Sequence, residues 1–364
     1  MKKNEKGLGN NYFTLVLCAL SLIILVVYVY NSGGVKKMAE YIQTVHVGWL
    51  LAAIGCMVMY WLLDAVVLHM AIKPVHPSHH FRTSLRLTMI GQYFNNVTPF
   101  ASGGQPSQAY FLVKRGVPLA ETVTALLTKF IVYQITLTIY CLVTLILEFR
   151  FFMGEVKALM IAVIVGFAVH TAVTLMLIGV AFFKTGTIKT ANFFITILGK
   201  IHIVKDPAAK REYVDNELET FHKQFKYMSK HKLHLLKMSL ITVAQLTVYF
   251  LIGNILYLSF HLPAANAFTL IAAQAFVLMI AAFVPIPGAL GVAEGSFHTF
   301  FILFFQDKVD VAILIWRLIT FYLPIVVGLV FTIVEKRRGD TLPLEKSPVT
   351  DELAGSGVEP IFRK

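Results

Sequence analysis

Two stretches of this chain are apolar enough to lie inside a membrane, yet each is broken at its centre by glycine and proline, and the breaks lie about 185 residues apart. The first reads Gly91-Gln92-Tyr93-Phe94-Asn95-Asn96-Val97-Thr98-Pro99-Phe100-Ala101-Ser102-Gly103-Gly104-Gln105-Pro106. The second reads Phe283-Val284-Pro285-Ile286-Pro287-Gly288-Ala289-Leu290-Gly291-Val292-Ala293-Glu294-Gly295. Each sits between two full-length apolar runs. Irregular backbone at membrane depth survives only where it is buried in protein or lines a cavity. Two such breaks at matching places in two halves of a chain point to a transporter's substrate site.

Composition agrees with a membrane setting. Of 364 residues, 57% are hydrophobic and 14% charged, against roughly 25% charged in soluble domains. Mean hydropathy is +0.71. The expected fold is an all-α polytopic membrane protein. Apolar runs predict six spanning helices, at about 12–30, 47–70, 119–147, 158–183, 235–260 and 311–334. The first run lacks a small-residue cleavage site after it and reads as a retained helix.

Lys/Arg bias orients these spans. The N-terminal tail (Lys2, Lys3, Lys6), the stretch after the second helix (Lys73, Arg82, Arg86) and the C-terminal end (Lys336, Arg337, Arg338) are basic, and segment 184–234 holds ten Lys/Arg against five acids. The alternate loops are poorer, with Lys36 and Lys37, then Arg150 and Lys157, then Lys308. Both termini are therefore expected in the cytoplasm. The first broken segment is then flanked on both sides by cytoplasmic charge, and the second by external loops near His261 and Asp307. Two re-entrant helical hairpins approaching from opposite faces are expected, arranged as an inverted repeat. Repeat one covers about 47–147 and repeat two about 235–334, at offsets of roughly 185 to 192 residues. Segment 184–234 is expected as an amphipathic linker on the cytoplasmic membrane surface. Residues 1–338 would form the membrane domain and 339–364 a disordered polar tail.

Four charged residues stand out, well inside predicted membrane helices or at the second break: Asp64, Lys129, Glu294 and Arg317. Such residues are functional candidates by default. Paired with each other they would be neutral structural links; facing a cavity, Arg317 would grip a phosphate with a bidentate fork and Lys129 as a point charge. A half-helix beginning near Gly291 would hold Glu294 in its first turn, where the helix dipole favours an acid. The turn residues Asn95, Asn96, Thr98, Gly103, Gly104, Gln105, Pro287, Gly288 and Gly291 complete the candidate substrate-binding set. A half-helix starting near Pro106 would present backbone N–H groups to an anion. Gly103-Gly104-Gln105-Pro106 is not a P-loop, because no Gly-Lys-Ser/Thr follows. His76, His79 and His80 cluster without the cysteine or acid set of a metal site and read as a loop at solvent or headgroups. Cys18, Cys56 and Cys141 lie in apolar runs with neither disulfide nor metal spacing. No catalytic set, cofactor, metal or nucleic-acid module is expected from these patterns.

The Asn95-Asn96-Val97-Thr98-Pro99 and Gly103-Gly104-Gln105-Pro106 motifs, with Pro285-Ile286-Pro287-Gly288-Ala289-Leu290-Gly291-Val292-Ala293-Glu294, resemble the paired signatures of the lysylphosphatidylglycerol synthase transmembrane-region family. The resemblance covers roughly residues 10–335. That family includes the flippase part of the bacterial multiple peptide resistance factor. Its bifunctional members transfer lysine from lysyl-tRNA to phosphatidylglycerol in a separate soluble domain. They then flip the product outward, which lowers negative surface charge and gives resistance to cationic peptides. The sequence runs to Lys364, soon after its last predicted helix, so the flippase part without the synthase domain is what is expected here.

The resemblance therefore implies a phospholipid flippase of the bacterial cytoplasmic (inner) membrane. Asp64 and Glu294 would receive a cationic aminoacyl group, and Lys129, Arg317 and the half-helix N-termini the phosphate. Membrane phospholipid is the expected partner, with a separate lipid synthase and a second copy of the chain as further candidates. The alternatives are phosphatidylglycerol lysyltransferase activity, which would add lysyl-tRNA as a partner, a transporter of another lipid phosphate or small solute, and a membrane scaffold.

Overall fold

The computed structural model describes residues 40–339 except 42, 201–206 and 283, and every regular element among them is helical. The predicted helix at 12–30, the N-terminal tail and residues 340–364 lie outside the described residues.

The chain order is α1 (Val47–Ile72), α2 (Phe81–Val97), a 3-10 turn (Pro99–Ala101), α3 (Gly104–Lys114), α4 (Leu119–Glu155), α5 (Lys157–Phe182), α6 (Lys184–Lys200), α7 (Pro207–Lys230) and α8 (Lys232–Ser259). It continues through α9 (Ala267–Ala281), a 3-10 turn (Pro287–Ala289), α10 (Val292–Phe305), a third turn (Gln306–Lys308) and α11 (Val309–Arg317). α11 runs through a π-helical turn (Leu318–Tyr322) into α12 (Leu323–Gly339).

Among the described residues, five helical stretches are long and apolar enough to cross a membrane: α1, α4, α5, α8 and Pro287–Arg337. The last is not one rod, since it turns at Gln306–Lys308. The predicted spans at 47–70, 119–147, 158–183, 235–260 and 311–334 fall on α1, α4, α5, α8 and α11–α12. α4 runs on to Glu155, past its predicted end, because nothing from Glu148 to Phe152 breaks a helix.

Proline makes both central breaks. A residue before proline is pushed out of helical geometry, and Thr98 (φ −116°, ψ 148°) and Ile286 (φ −115°, ψ 133°) are both extended. Each break then turns through left-handed residues, Phe100 (φ 55°) and Ala101 (φ 51°) in the first, Gly288 (φ 63°) and Ala289 (φ 49°) in the second. The correspondence is residue for residue: positions 99, 100 and 101 match 287, 288 and 289 at a constant separation of 188. Lys129 and Arg317 are separated by the same 188 positions.

Packing follows the same correspondence. The contacts α1·α2, α2·α3, α3·α4 and α1·α4 have counterparts in α8·α9, α9·α10, α10·α11 and α8·α11. Between the two groups, α1 packs on α8, α2 on α12 as α9 does on α4, and the two 3-10 turns touch. α2 and α12 cross closely at Gly328, where a Cβ would lie 2.5 Å from the Met89 carbonyl oxygen.

Inside lipid, helix association rests on packing rather than on transfer from water. The second group packs through aromatic rings. Phe297, Phe301 and Phe305 recur four residues apart along one face of α10, so their rings line up. Phe297 stacks on Phe301 at 4.0 Å and lies 4.7 Å from Trp316. The charged helix α7 packs on α4 through an apolar stripe: Phe221 and Phe225 bury against Ile131 and Ala181, while Thr124 Oγ1 donates to Gln224 Oε1 at 3.0 Å. α6 packs on α7 and leaves Phe193, Phe194 and Ile197 exposed.

Candidate functional site

The two breaks meet beside a cavity of about 880 Å³ bounded by α1, α2, α3, α4, α5, α8, α9, the start of α10, the end of α11 and the π turn. Of the predicted site residues, Asp64, Asn95, Asn96, Gly104, Gln105, Lys129, Gly288 and Arg317 line it. Thr98, Gly103, Pro287, Gly291 and Glu294 are not in its wall.

Side chains close the first break. Thr98 Oγ1 donates to the Phe94 carbonyl at 2.7 Å and accepts the Gly103 N–H at 2.8 Å. Asn95 Oδ1 accepts the Gly104 N–H at 2.8 Å. Asn96 Nδ2 donates to the Gln92 carbonyl one turn back. The N–H groups of Gly103 and Gly104 are thus taken up within the hairpin, and α3 begins at Gly104, just before Pro106. Asn95 and Thr98 hold the turn in shape.

The second break uses a carboxylate for the same purpose. Glu294 occupies the third position of α10, and its Oε2 accepts the Gly291 N–H at 2.7 Å. This is the acidic half of a capping box; glycine has no side chain to return the bond. At the tip, Gly288 combines a positive φ with a Cβ direction 2.1 Å from the Phe321 ring. Its counterpart Phe100 carries a full side chain in the left-handed region, 58% exposed at the cavity edge. A bulky residue there is conformationally costly.

The four ionisable residues form two buried pairs. Lys129 Nζ lies 2.9 Å from Asp64 Oδ1 and 3.0 Å from Oδ2, and Gln245 Nε2 donates to Oδ1 at 3.3 Å. Arg317 Nε lies 2.7 Å from Glu294 Oε1. Its N–H is not aligned on that oxygen as a hydrogen bond, so the contact is ionic, and Nη2 has no hydrogen-bond partner. The guanidinium stacks over Trp316 and Phe321 at 4.8 and 5.4 Å. Each pair is neutral as a whole, and each presents a cation to the cavity: Lys129 from α4 and Arg317 from the matching position of α11.

The remaining wall divides in two. Gln92, Tyr60, Tyr133, Tyr249 and Gln134 add polar groups. Phe130, Leu137, Val169, Val173 and Leu278 make an apolar face. Sequence reasoning missed Gln245, the three tyrosines and His170. Polar residues four apart in an otherwise apolar span, such as Gln245 and Tyr249, carry the signal that finds them.

A third, half-buried pair lies away from the cavity: Arg115 Nε donates to Glu335 Oε1 at 2.7 Å and Nη2 contacts the same oxygen, joining the end of α3 to α12. The histidine loop is a hydrogen-bonded corner. His76 Nδ1 lies 3.3 Å from Glu121, and His79 Nε2 lies 2.8 Å from Ser84 Oγ. Burial, then the neighbouring His69, His76 and Arg115, lower the His79 pKa to about 4. Among the described residues there is no group of three metal-ligating side chains.

A family model described as Lysylphosphatidylglycerol synthase TM region matches residues 15–328. No curated protein matches the chain.

Proposed function

The chain belongs to the lysylphosphatidylglycerol synthase transmembrane-region family, and from that multi-pass membrane setting and its cavity we propose that it moves an aminoacylated phospholipid, lysylphosphatidylglycerol, across the bacterial cytoplasmic membrane. In this reading the two helix–turn–helix segments are re-entrant hairpins of an inverted repeat with cytoplasmic termini. Their lengths support this. At 1.5 Å per residue, α2, α3, α9 and α10 measure about 25, 17, 22 and 21 Å, short of a hydrocarbon core of about 30 Å. Their flanks support it too, with Arg82, Arg86, Lys114 and Arg115 beside the first hairpin and His261 and Asp307 beside the second.

The observation that carries the proposal is two neutral ion pairs that each present a cation to one cavity, which also has an apolar face. Stranding a buried charge is costly. A purely anionic headgroup that captured Lys129 or Arg317 would strand Asp64 or Glu294. A headgroup with both phosphate and ammonium offers each member of a pair a substitute partner, so binding exchanges ion pairs and strands none. The apolar face accommodates acyl chain, which a small polar solute does not need. Rocking one repeat against the other, hinged where the 3-10 turns touch, would expose the exchanged headgroup to either side.

The reading is tested in cells that make lysylphosphatidylglycerol. Expression of the protein should increase labelling of that lipid by a membrane-impermeant amine reagent, and Lys129→Ala and Arg317→Ala should abolish the increase at equal expression. Labelling that is unchanged by the wild-type protein would refute it. Transfer of lysine from lysyl-tRNA to phosphatidylglycerol by the purified chain would replace it with the synthase reading.

A further inference from the structure

α5 lies outside both matched groups of helices, yet it supplies one wall of the cavity through Val169, His170 and Val173. Most of the helix has a lipid-type surface, with Ile161, Val165, Leu175 and Met176 exposed. His170 departs from this pattern. It is 8% exposed, and its Nε2 is buried without a hydrogen-bond partner. The hydroxyls next to it are engaged elsewhere. Thr174 Oγ1 donates to the His170 carbonyl at 2.9 Å, and Thr138 Oγ1 donates to the Gln134 carbonyl at 2.7 Å. The cavity's charged groups are also committed, Asp64 and Lys129 to each other and Arg317 to Glu294 behind the wall.

Buried polar atoms in native proteins are nearly always satisfied, so an orphan calls for a specific partner. An ionisable side chain in a membrane-spanning helix is costly and marks a substrate path by default. His170 lines the cavity with Val169 and Val173 of the apolar face, and its ring makes no hydrogen bond or ion pair with the charged residues. A phospholipid whose headgroup engages the ion pairs and whose chains lie on that face has its phosphate and ester oxygens between the two.

We propose that His170 is a substrate-contact residue, its Nε2 binding an oxygen of the phospholipid's phosphate–glycerol ester region. The inference rests on the lipid reading and deepens it: α5 becomes the third contributor to the site, recognising the part common to phospholipids, while the ion pairs recognise the headgroup.

The test is thermal unfolding of the purified protein in detergent, with and without added lysylphosphatidylglycerol, for wild type, His170→Leu and His170→Gln. Without lipid, His170→Leu should melt at or above the wild-type temperature, because it removes a buried polar group that has no partner. With lipid, its stabilisation should fall to that of about tenfold weaker binding, and His170→Gln should recover part of it. A diether lysylphosphatidylglycerol separates the two oxygens: stabilisation retained assigns the phosphate, and stabilisation lost assigns the ester carbonyl. Equal lipid stabilisation of His170→Leu and wild type overturns the inference and leaves the lipid reading standing. A His170→Leu protein that melts well below wild type shows the imidazole to be structural and also overturns it. No stabilisation of wild type by lysylphosphatidylglycerol overturns the lipid reading and the inference together.

Discussion

Glu294 makes two contacts with its two oxygens, and a single substitution separates them. Oε2 accepts the Gly291 N–H at 2.7 Å, and Oε1 faces Arg317 Nε at 2.7 Å. Glu294→Gln keeps an oxygen for the cap and removes only the charge. The guanidinium it leaves behind is 5% exposed, with Nη2 already unpartnered. Breaking a buried pair in this way costs about 3–5 kcal/mol. Arg317→Met should cost less, because a carboxyl can shed its charge by taking a proton and a guanidinium cannot. The double variant replaces the pair with neutral groups of similar length and should return to within about 2 kcal/mol of wild type. The singles and the double thus form a cycle with a coupling of about 2–4 kcal/mol. Unfolding by SDS in mixed micelles measures it. Additive effects, with the double variant weaker than either single, would refute the reasoning, since two residues that do not sense each other's charge are not a pair. Transport supplies an independent axis: the double variant should be stable and inactive.

Three further outcomes are expected. Gly328→Val places a Cβ where the Met89 carbonyl leaves 2.5 Å, and backbone cannot give way as a side chain can, so α2 and α12 should part at a cost of about 1–3 kcal/mol, read as lost thermal stability. Glu335→Gln leaves Arg115 without its charged partner at the end of α3 and should speed proteolysis after Lys114 or Arg115, whereas an unchanged digestion pattern would remove that pair from the fold's fastenings. His79 has a pKa lowered to about 4, with burial the main cause. The unfolded chain therefore takes up this proton first as pH falls through the usual histidine range, so the stability that depends on His79 is full above about 6.5 and lost progressively toward 4. The stability difference between wild type and His79→Gln should follow that window; a pH-independent difference would contradict it.

The breaks were legible in the sequence because their cause is local. Proline excludes helix from the residue before it, and that is enough to place Thr98 and Ile286 in extended geometry. Glu294 in the first turn of α10 was legible for the same reason. The pairing of the four charges was not. Whether Lys129 meets Asp64 or Glu294 depends on how α4 packs on α1, and residue spacing along one helix carries no information about that. Asn95 and Thr98 were legible as polar turn residues, but whether they would serve a ligand or their own backbone is decided by the reach of Gly103 and Gly104, nine or fewer positions away in sequence. His170 was invisible, because a lone histidine in an apolar run usually satisfies itself within the core, and only its orphaned Nε2 distinguishes it.

The most direct measurement of the central claim is translocation in liposomes of defined lipid carrying purified protein and a trace of fluorescent lysylphosphatidylglycerol, followed by the fraction of probe shielded from a membrane-impermeant quencher. The account predicts that wild-type protein exposes the inner-leaflet probe, and that the stable Glu294→Gln/Arg317→Met double variant leaves it shielded. Probe that stays shielded with folded wild-type protein, or that is exposed equally by the double variant, would contradict it.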